Sequence, residues 1–153
     1  MRPSILKLLY LKILNIIINF SFIPSPLRAR IQSLRGVRFK DINSVWIGEN
    51  VTFDMLRPEK IHVGENVTFS KNSVILTHFY DTSRYECEFN YEDVFIGDNV
   101  FIGVGAIIAA SVKISDGAVI GAGSVVVHDI EPNAIVSGSP AKIVGYRKLK
   151  KST

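Results

Sequence analysis

The sequence predicts an all-β solenoid: short strands wound into a triangular coil, preceded by an amphipathic helix and closed by a C-terminal capping segment. Three observations carry this reading. An aliphatic residue recurs at every sixth position, at Ile96, Ile102, Ile108, Ile114, Ile120 and Val126. A small or aliphatic residue stands four places after each, at Val100, Ala106, Val112, Ala118, Ser124 and Ile130. Gly, Asn, Asp or another small residue fills the positions between, as in Ile96-Gly97-Asp98-Asn99 and Ile120-Gly121-Ala122-Gly123. Neither the helical period nor strand alternation explains a period of six. Six residues make one short strand and one turn, and three such units close a triangle. The aliphatic residue then points to the axis and the small one fills the tapering corner. Gly, Asn and Asp suit the turns because they tolerate positive φ. Successive coils would stack about 4.8 Å apart, each pairing with the next.

Residues 1–44 read as a helix and lead-in. The stretch 5–23 is almost continuously apolar, but Lys7, Lys12, Asn15 and Asn19 interrupt it. At about 100° per residue these four, with Ser4, fall within roughly 140° of arc and leave a broad apolar face. Charge in a hydrocarbon core is costly, and no small-residue cleavage site follows, so neither a membrane span nor a signal peptide is predicted. Phe22-Ile23-Pro24-Ser25-Pro26 ends the helix. It either packs on its own protein or lies on a membrane surface. The coil occupies 45–131 and opens with Ile47-Gly48-Glu49-Asn50-Val51-Thr52, echoed from Val63 and again from Phe69. Glu-Asn-Val-Thr occurs at Glu49 and Glu65; these two sequons read as turn composition. A few extra residues at 56–61 and a polar, aromatic excursion at 77–94 break the register. A long excursion from a regular coil marks a functional loop. The repeat is lost after Val126, and 132–153 read as the cap and a basic, solvated tail.

At 153 residues the chain fits one domain, and 47% apolar composition provides a core. The net charge of +4 gives only a mild positive field, suited to an anionic ligand. The basic residues are concentrated towards the ends, from Lys7 to Lys40 and from Lys142 to Lys151, without interleaved aromatics, which argues against nucleic acid. Cys87 is the single cysteine, so neither an internal disulfide nor a thiolate metal cluster is expected, and a reducing compartment suits the chain.

These repeats resemble the left-handed β-helix acyltransferases, the hexapeptide-repeat family of maltose, galactoside, serine and polysaccharide acetyltransferases. The resemblance covers about 45–147 and rests on three features: the repeat, Leu76-Thr77-His78 before a loop that rejoins the coil at Ile96-Gly97-Asp98-Asn99-Val100, and the closing Ser137-Gly138-Ser139-Pro140-Ala141-Lys142. The leader from Pro24 to Val37 is similar to that of polysaccharide-biosynthesis O-acetyltransferases, which favours O-acetylation over N-acetylation of an amino sugar. The handedness of the coil is an implication of this likeness.

The resemblance implies acetyl-CoA as co-substrate, a sugar or glycan hydroxyl as acceptor, and a homotrimer with sites between adjacent coils. By position it assigns His78 as general base. A neutral imidazole suits that task, because a sugar hydroxyl is a poor nucleophile and must lose its proton as it attacks a thioester. Gly103, Gly121 and Ala122 match turns along which CoA lies in relatives. Lys142 matches the basic residue near its 3′-phosphate, with Arg147 as a helper. Asp54, Tyr80 and Asp81 are the acceptor candidates, and Asp81, Glu86 or Asp93 would orient His78. Tyr80, Tyr85, Phe89 and Tyr91 either form an aromatic wall for a sugar ring or pack on a neighbouring subunit. Phe101 stands where some relatives have a tryptophan, and Val127-His128 where some have Thr-Lys, which puts side-chain contacts there in doubt.

Two other classes compete with this reading. β-Helical carbonic anhydrases bind zinc through three histidines, but His62, His78 and His128 lie at spacings that do not suit that site, and no metal is expected. A non-catalytic scaffold would have no use for the histidine and the closing signature. The expected location is cytoplasmic, at the inner face of the membrane if 5–23 contacts it.

Overall fold

The computed structural model describes residues 5–18, 23–82 and 88–148. Helices α1 (Ile5–Ile18) and α2 (Ser25–Arg35) come first, then strand β1 (Arg38–Phe39). The first coil is β2 (Trp46–Ile47), β3 (Thr52–Phe53) and β4 (Ile61–Val63). The second is β5 (Thr68–Phe69), β6 (Val74–Ile75) and β9 (Val94–Ile96), with the hairpin β7 (His78–Tyr80) and β8 (Phe89–Tyr91) leaving between them. The third is β10 (Phe101–Ile102), β11 (Ile107–Ile108) and β12 (Lys113–Ile114), and β13 (Val119–Ile120) and β14 (Val125–Val126) begin the fourth. β15 (Ala134–Gly138) and β16 (Ala141–Tyr146) end the described chain. Stacked coils form three faces of a prism. The first sheet is β1-β4-β9-β12, the second β2-β5-β10-β13-β15-β16 and the third β3-β6-β11-β14; only the β15–β16 pair is antiparallel within them.

The six-residue period becomes geometry directly. Ile96, Ile102, Ile108, Ile114, Ile120 and Val126 are buried, as are the residues four places on, from Val100 to Ile130. Phe53 and Phe69 meet edge to face inside the first two coils, with ring centroids 4.9 Å apart. The turns use left-handed backbone at Asn50, Asn66, Asn72, Asn99 and Asn133 and at Gly105, Gly117 and Gly123. Asn50 and Asn66 of the two sequon-like tetrapeptides are therefore turn residues.

Register shows how the interruptions are absorbed. Phe101 pairs with Val119, eighteen residues on. Trp46 pairs with Thr68, twenty-two on, and Thr68 with Phe101, thirty-three on. The insertion at 56–61 therefore adds four residues, which hold the 3₁₀ turn Pro58–Lys60, and the loop at 77–94 adds fifteen. At the far end the coil runs on past residue 126: Ile130 bridges Ile114, and Ile120 pairs with Val136, sixteen residues on. That last turn is two residues short, which is why its repeat is not visible in the sequence.

The open N-terminal end of the coil is closed by α2 and β1. Helix α2 has Pro26 in its first turn and stops at Gly36 in left-handed backbone, its end sealed by the Val37 N–H on the Gln32 carbonyl. Its Ser25 Oγ accepts the Ile47 N–H at 2.7 Å, Arg28 donates to the Ile47 carbonyl and Arg35 to the Phe53 carbonyl. These are edge groups of the first coil that no strand pairs. Arg28 and Arg35, counted by sequence with the end charges, are buried here. β1 pairs with β4 in the same way, so the first sheet begins before residue 45. Helix α1 leaves Ile5, Leu6, Leu9, Ile13 and Ile16 exposed, so these side chains are not covered by the coil. Lys12 is exposed at the border of that apolar arc, while Ser4 and Asn19 lie outside the described residues. No helix among the described residues is long and apolar enough to cross a membrane.

Candidate active site

The hairpin β7–β8 departs at the corner between the third and first sheets. Its root is closed by the Glu92 N–H on the Thr77 carbonyl at 2.8 Å. Directly beneath, on the preceding coil, Asp54 occupies the equivalent corner after β3. Its carboxylate gathers three donors. The Leu56 N–H bonds Oδ1 at 2.7 Å, the Thr77 N–H bonds Oδ2 at 2.7 Å, and His78 Nδ1 lies 2.6 Å from Oδ2. The Asp54 side chain is only 1% exposed, while that of His78 is 27% exposed. Burial pushes the Asp54 carboxyl up, but the N–H groups of Thr77 and Leu56 and the His78 and Thr77 side chains outweigh it and hold it below the usual carboxylate range. An ionised carboxylate only accepts, so Nδ1 is the donor of this bond and Nε2 is the ring nitrogen turned away from Asp54. This is the geometry of an oriented general base.

Arg35 stands behind the pair. It is 2% exposed and donates to the Phe53 carbonyl at 3.2 Å, the Asp54 carbonyl at 3.4 Å and Gln32 Oε1 at 2.7 Å. Burial lowers its pKa and attraction to Asp54 opposes that. One cation thus ties the end of α2 to the first coil at the backbone of Phe53 and Asp54.

The carboxylate placed to orient His78 is that of Asp54, offered from sequence as an acceptor candidate. Asp93, offered for that task, instead pairs with His62 Nε2 at 2.8 Å and Lys60 Nζ at 2.7 Å. Asp81 turns its backbone N–H to the Glu88 carbonyl, and Glu86 and Tyr85 lie outside the described residues. Nothing in the local sequence pairs Asp54 with His78, because they are twenty-four positions apart and meet only through coil stacking. Arg35 was missed for the same reason. The available signal was the Pro-to-Gly helix of α2, which predicts a cap without saying which carbonyls it meets.

Aromatic groups surround the imidazole. The Phe89 ring meets it edge-on at 5.2 Å and Tyr91 lies 6.3 Å away, with Arg57 over the Tyr91 ring at 5.2 Å. Tyr80 packs edge-on against Phe89, both half exposed on the hairpin. Phe101 points outward from the second sheet and His128 is exposed beyond β14.

The residues predicted along the co-substrate occupy other corners. Gly103 and Gly121 stack at the corner between the second and third sheets. A Cβ on Gly103 would lie 2.6 Å from the Ala122 nitrogen, and one on Gly121 3.0 Å from Ser137 Oγ. Close approach of the next coil is therefore a sufficient reason for both glycines. Lys142 is opposite Ser137 in the β15–β16 ladder, at the end of this column. Arg147 lies at the corner between the first and second sheets, donating to the Asn99 carbonyl at 3.1 Å. One chain therefore groups Gly103, Gly121, Ala122 and Lys142, and separates them from Arg147 and from His78. Among the described residues no three His, Cys, Asp or Glu side chains cluster as a metal site.

Residues 93–128 match the family model of the bacterial transferase hexapeptide (six repeats). The chain is 35% identical over 104 residues to the Bacillus subtilis (strain 168) protein named "Putative acetyltransferase YvoF", covering 65% of this chain and 58% of that one. It thus spans less than two thirds of that relative. The structure is similar to a maltose O-acetyltransferase from Clostridium difficile 630, with TM-score 0.73, 28% identity, and 95% and 88% of the two chains covered. It is also similar to a galactoside acetyltransferase in complex with coenzyme A, with TM-score 0.65, 27% identity, and coverage of 92% and 80%. These likenesses imply a left-handed coil. The period and the prism make the chain a hexapeptide-repeat coil, similar in sequence to named acetyltransferases and in build to the maltose and galactoside acetyltransferases.

Proposed function

We propose that this protein is an O-acetyltransferase that moves an acetyl group from acetyl-CoA to a hydroxyl of a sugar or glycan, in the making of a cell-surface polysaccharide. The single observation that carries the reading is the His78–Asp54 pair, with Nε2 free at the mouth of the hairpin. Coenzyme A in the similar galactoside acetyltransferase supports the choice of co-substrate. Acetyl-CoA brings the acetyl group as a thioester, an acyl donor that an alcohol attacks once it loses its proton. His78 Nε2 takes that proton, Asp54 stabilises the imidazolium, and His78 returns the proton to the leaving thiolate. Asp54 stays ionised throughout, since its backbone donors favour the charged form. Tyr80 and Asp81 on the hairpin remain the acceptor side.

The separation of His78 from the Gly103–Lys142 column supports a homotrimer in which one copy's hairpin faces the next copy's column. The outward rows of the second and third sheets support it as well. Trp46, Phe101, Val119 and Ile135 line one, and Val74, Ile107 and Val125 the other; these are apolar faces that a neighbour would cover. The exposed apolar side chains of α1 support attachment through 5–23 to the inner face of the membrane, with the coil in the cytoplasm.

The test follows release of the CoA thiol from acetyl-CoA with a panel of sugar and amino-sugar acceptors, for the native chain and His78→Ala. Acceptor-dependent release that falls by at least ~100-fold on substitution is expected. Release unchanged in His78→Ala would remove this mechanism.

A further inference from the structure

We propose that the outward face of the first sheet binds a phosphate-bearing group, which on the acyl-transfer reading above belongs to the acceptor. The three faces of the prism differ in what they show to solvent. The row on the first sheet is Arg38, His62, Phe95 and Lys113, in register across four strands, where the other two faces carry mostly apolar residues and threonine. This face also holds a groove of about 700 Å³ lined by all four. At its centre the His62 and Phe95 rings are stacked, 4.5 Å apart and 17° from parallel, leaving Phe95 exposed. Four strands at about 4.8 Å spacing put Arg38 and Lys113 roughly 14 Å apart at the backbone, one on each side of this ring pair.

The side-chain cations at those two ends are not ion-paired among the described residues. Of the carboxylates around it, Asp93 is taken by Lys60 and His62, and Asp98 by Lys40 and the Glu65 N–H. Asp116 accepts the Asp98 N–H. Asp129 Oδ1 accepts the Lys113 backbone N–H at 2.8 Å, and among the described residues neither the Arg38 guanidinium nor the Lys113 ammonium is in an ion pair. Two free cations flanking an exposed aromatic suit an anion of high charge attached to a flat or apolar body. Phosphate fits better than a single carboxylate, because two long basic side chains can converge on its three oxygens.

The groove also has the right address. His62, at its centre, holds Asp93 on the exit leg of the hairpin, where Asp93 follows Glu92, and the Glu92 N–H is bonded to the Thr77 carbonyl beside His78. An acceptor anchored there by a phosphate would extend its hydroxyl towards His78 Nε2. A nucleoside diphosphate and a lipid diphosphate share this chemistry.

The test is calorimetric titration of the full chain with inorganic pyrophosphate and with UDP at about 50 mM salt, where screening is modest. Both probes are expected to bind. The double variant Arg38→Gln/Lys113→Gln should weaken both at least about tenfold, as expected for loss of charge-assisted contacts. Single variants keep the result interpretable if the pair disturbs folding, and each should weaken binding in part. Phe95→Ala separates the sources: loss of UDP affinity alone assigns the ring to a nucleobase, and no loss for either probe assigns the phosphate to a lipid-linked or simple sugar acceptor. Absence of binding to the native chain, or affinity unchanged in the double variant, would overturn the proposal. His78→Ala should bind both probes like the native chain, so failure of the groove and failure of the acyl-transfer reading are told apart.

Discussion

Among the described residues are two histidine–aspartate pairs of nearly equal length, and their surroundings differ. His78–Asp54 closes at 2.6 Å through Nδ1, and His62–Asp93 at 2.8 Å through Nε2. The Asp54 side chain is 1% exposed and held by two backbone N–H groups, whereas that of Asp93 is 36% exposed and shared with Lys60. A buried carboxylate with fixed donors cannot turn away, so it sets the tautomer and direction of its histidine. An exposed one partly neutralised by a lysine is one of several solvated arrangements and does neither strongly. On the proposed reading, the depth and rigidity of the carboxylate are what separate His78 from His62.

The sharpest way to break the contrast is Asp54→Asn. The amide keeps one acceptor for the Leu56 N–H but turns an NH₂ towards Thr77 N and His78 Nδ1, favouring the tautomer that protonates Nε2. Acyl transfer should fall by roughly 10³–10⁴-fold, and the frustrated Thr77 N–H should cost about 1–3 kcal/mol of stability in denaturant unfolding. Activity within about threefold of native would show that Asp54 does not set the tautomer.

A second test uses acid. Both aspartates have folded pKa values below the ordinary 3.8, so each adds stability above that value and loses it as the pH falls through its lowered pKa. The loss should be dominated by Asp54, because the lowering at the exposed Asp93 is screened by solvent. Denaturant midpoints measured between about pH 5 and pH 2 should therefore drop steeply in the native chain and much less in Asp54→Asn. Equal drops in the two chains would contradict the assignment.

The smallest effect is expected at the other pair. Asp93→Asn should change stability by less than about 1 kcal/mol in the same unfolding experiment, as is usual for exposed ion pairs. A loss of several kcal/mol would erase the contrast between the two sites.

How much of this was legible from sequence differs between the coil and its corners. The inward residues from Ile96 to Val126, the positive-φ asparagines and the place where the chain leaves the coil follow from the period, since each hexapeptide specifies its own strand and turn. His78 was legible by its place at the root of the loop. Asp54 was visible as a candidate but its pairing with His78 was not, and the final turn around Ile130 and Val136 was hidden because it is two residues short. Arg28 and Arg35 looked like surface charge, and only the open edge of the first coil explains why they are buried.

By itself the sequence determined the solenoid, the triangular section and the position of the hairpin, because these depend on contacts within six residues that repeat. The tertiary structure alone decided which carboxylate serves His78, which face is cationic, and which basic side chains cap rather than bind. Those outcomes depend on stacking register, and register is the sum of every insertion along the chain: four extra residues before Ile61 and fifteen before Val94 still leave Thr77 directly above Asp54. No local pattern encodes that sum.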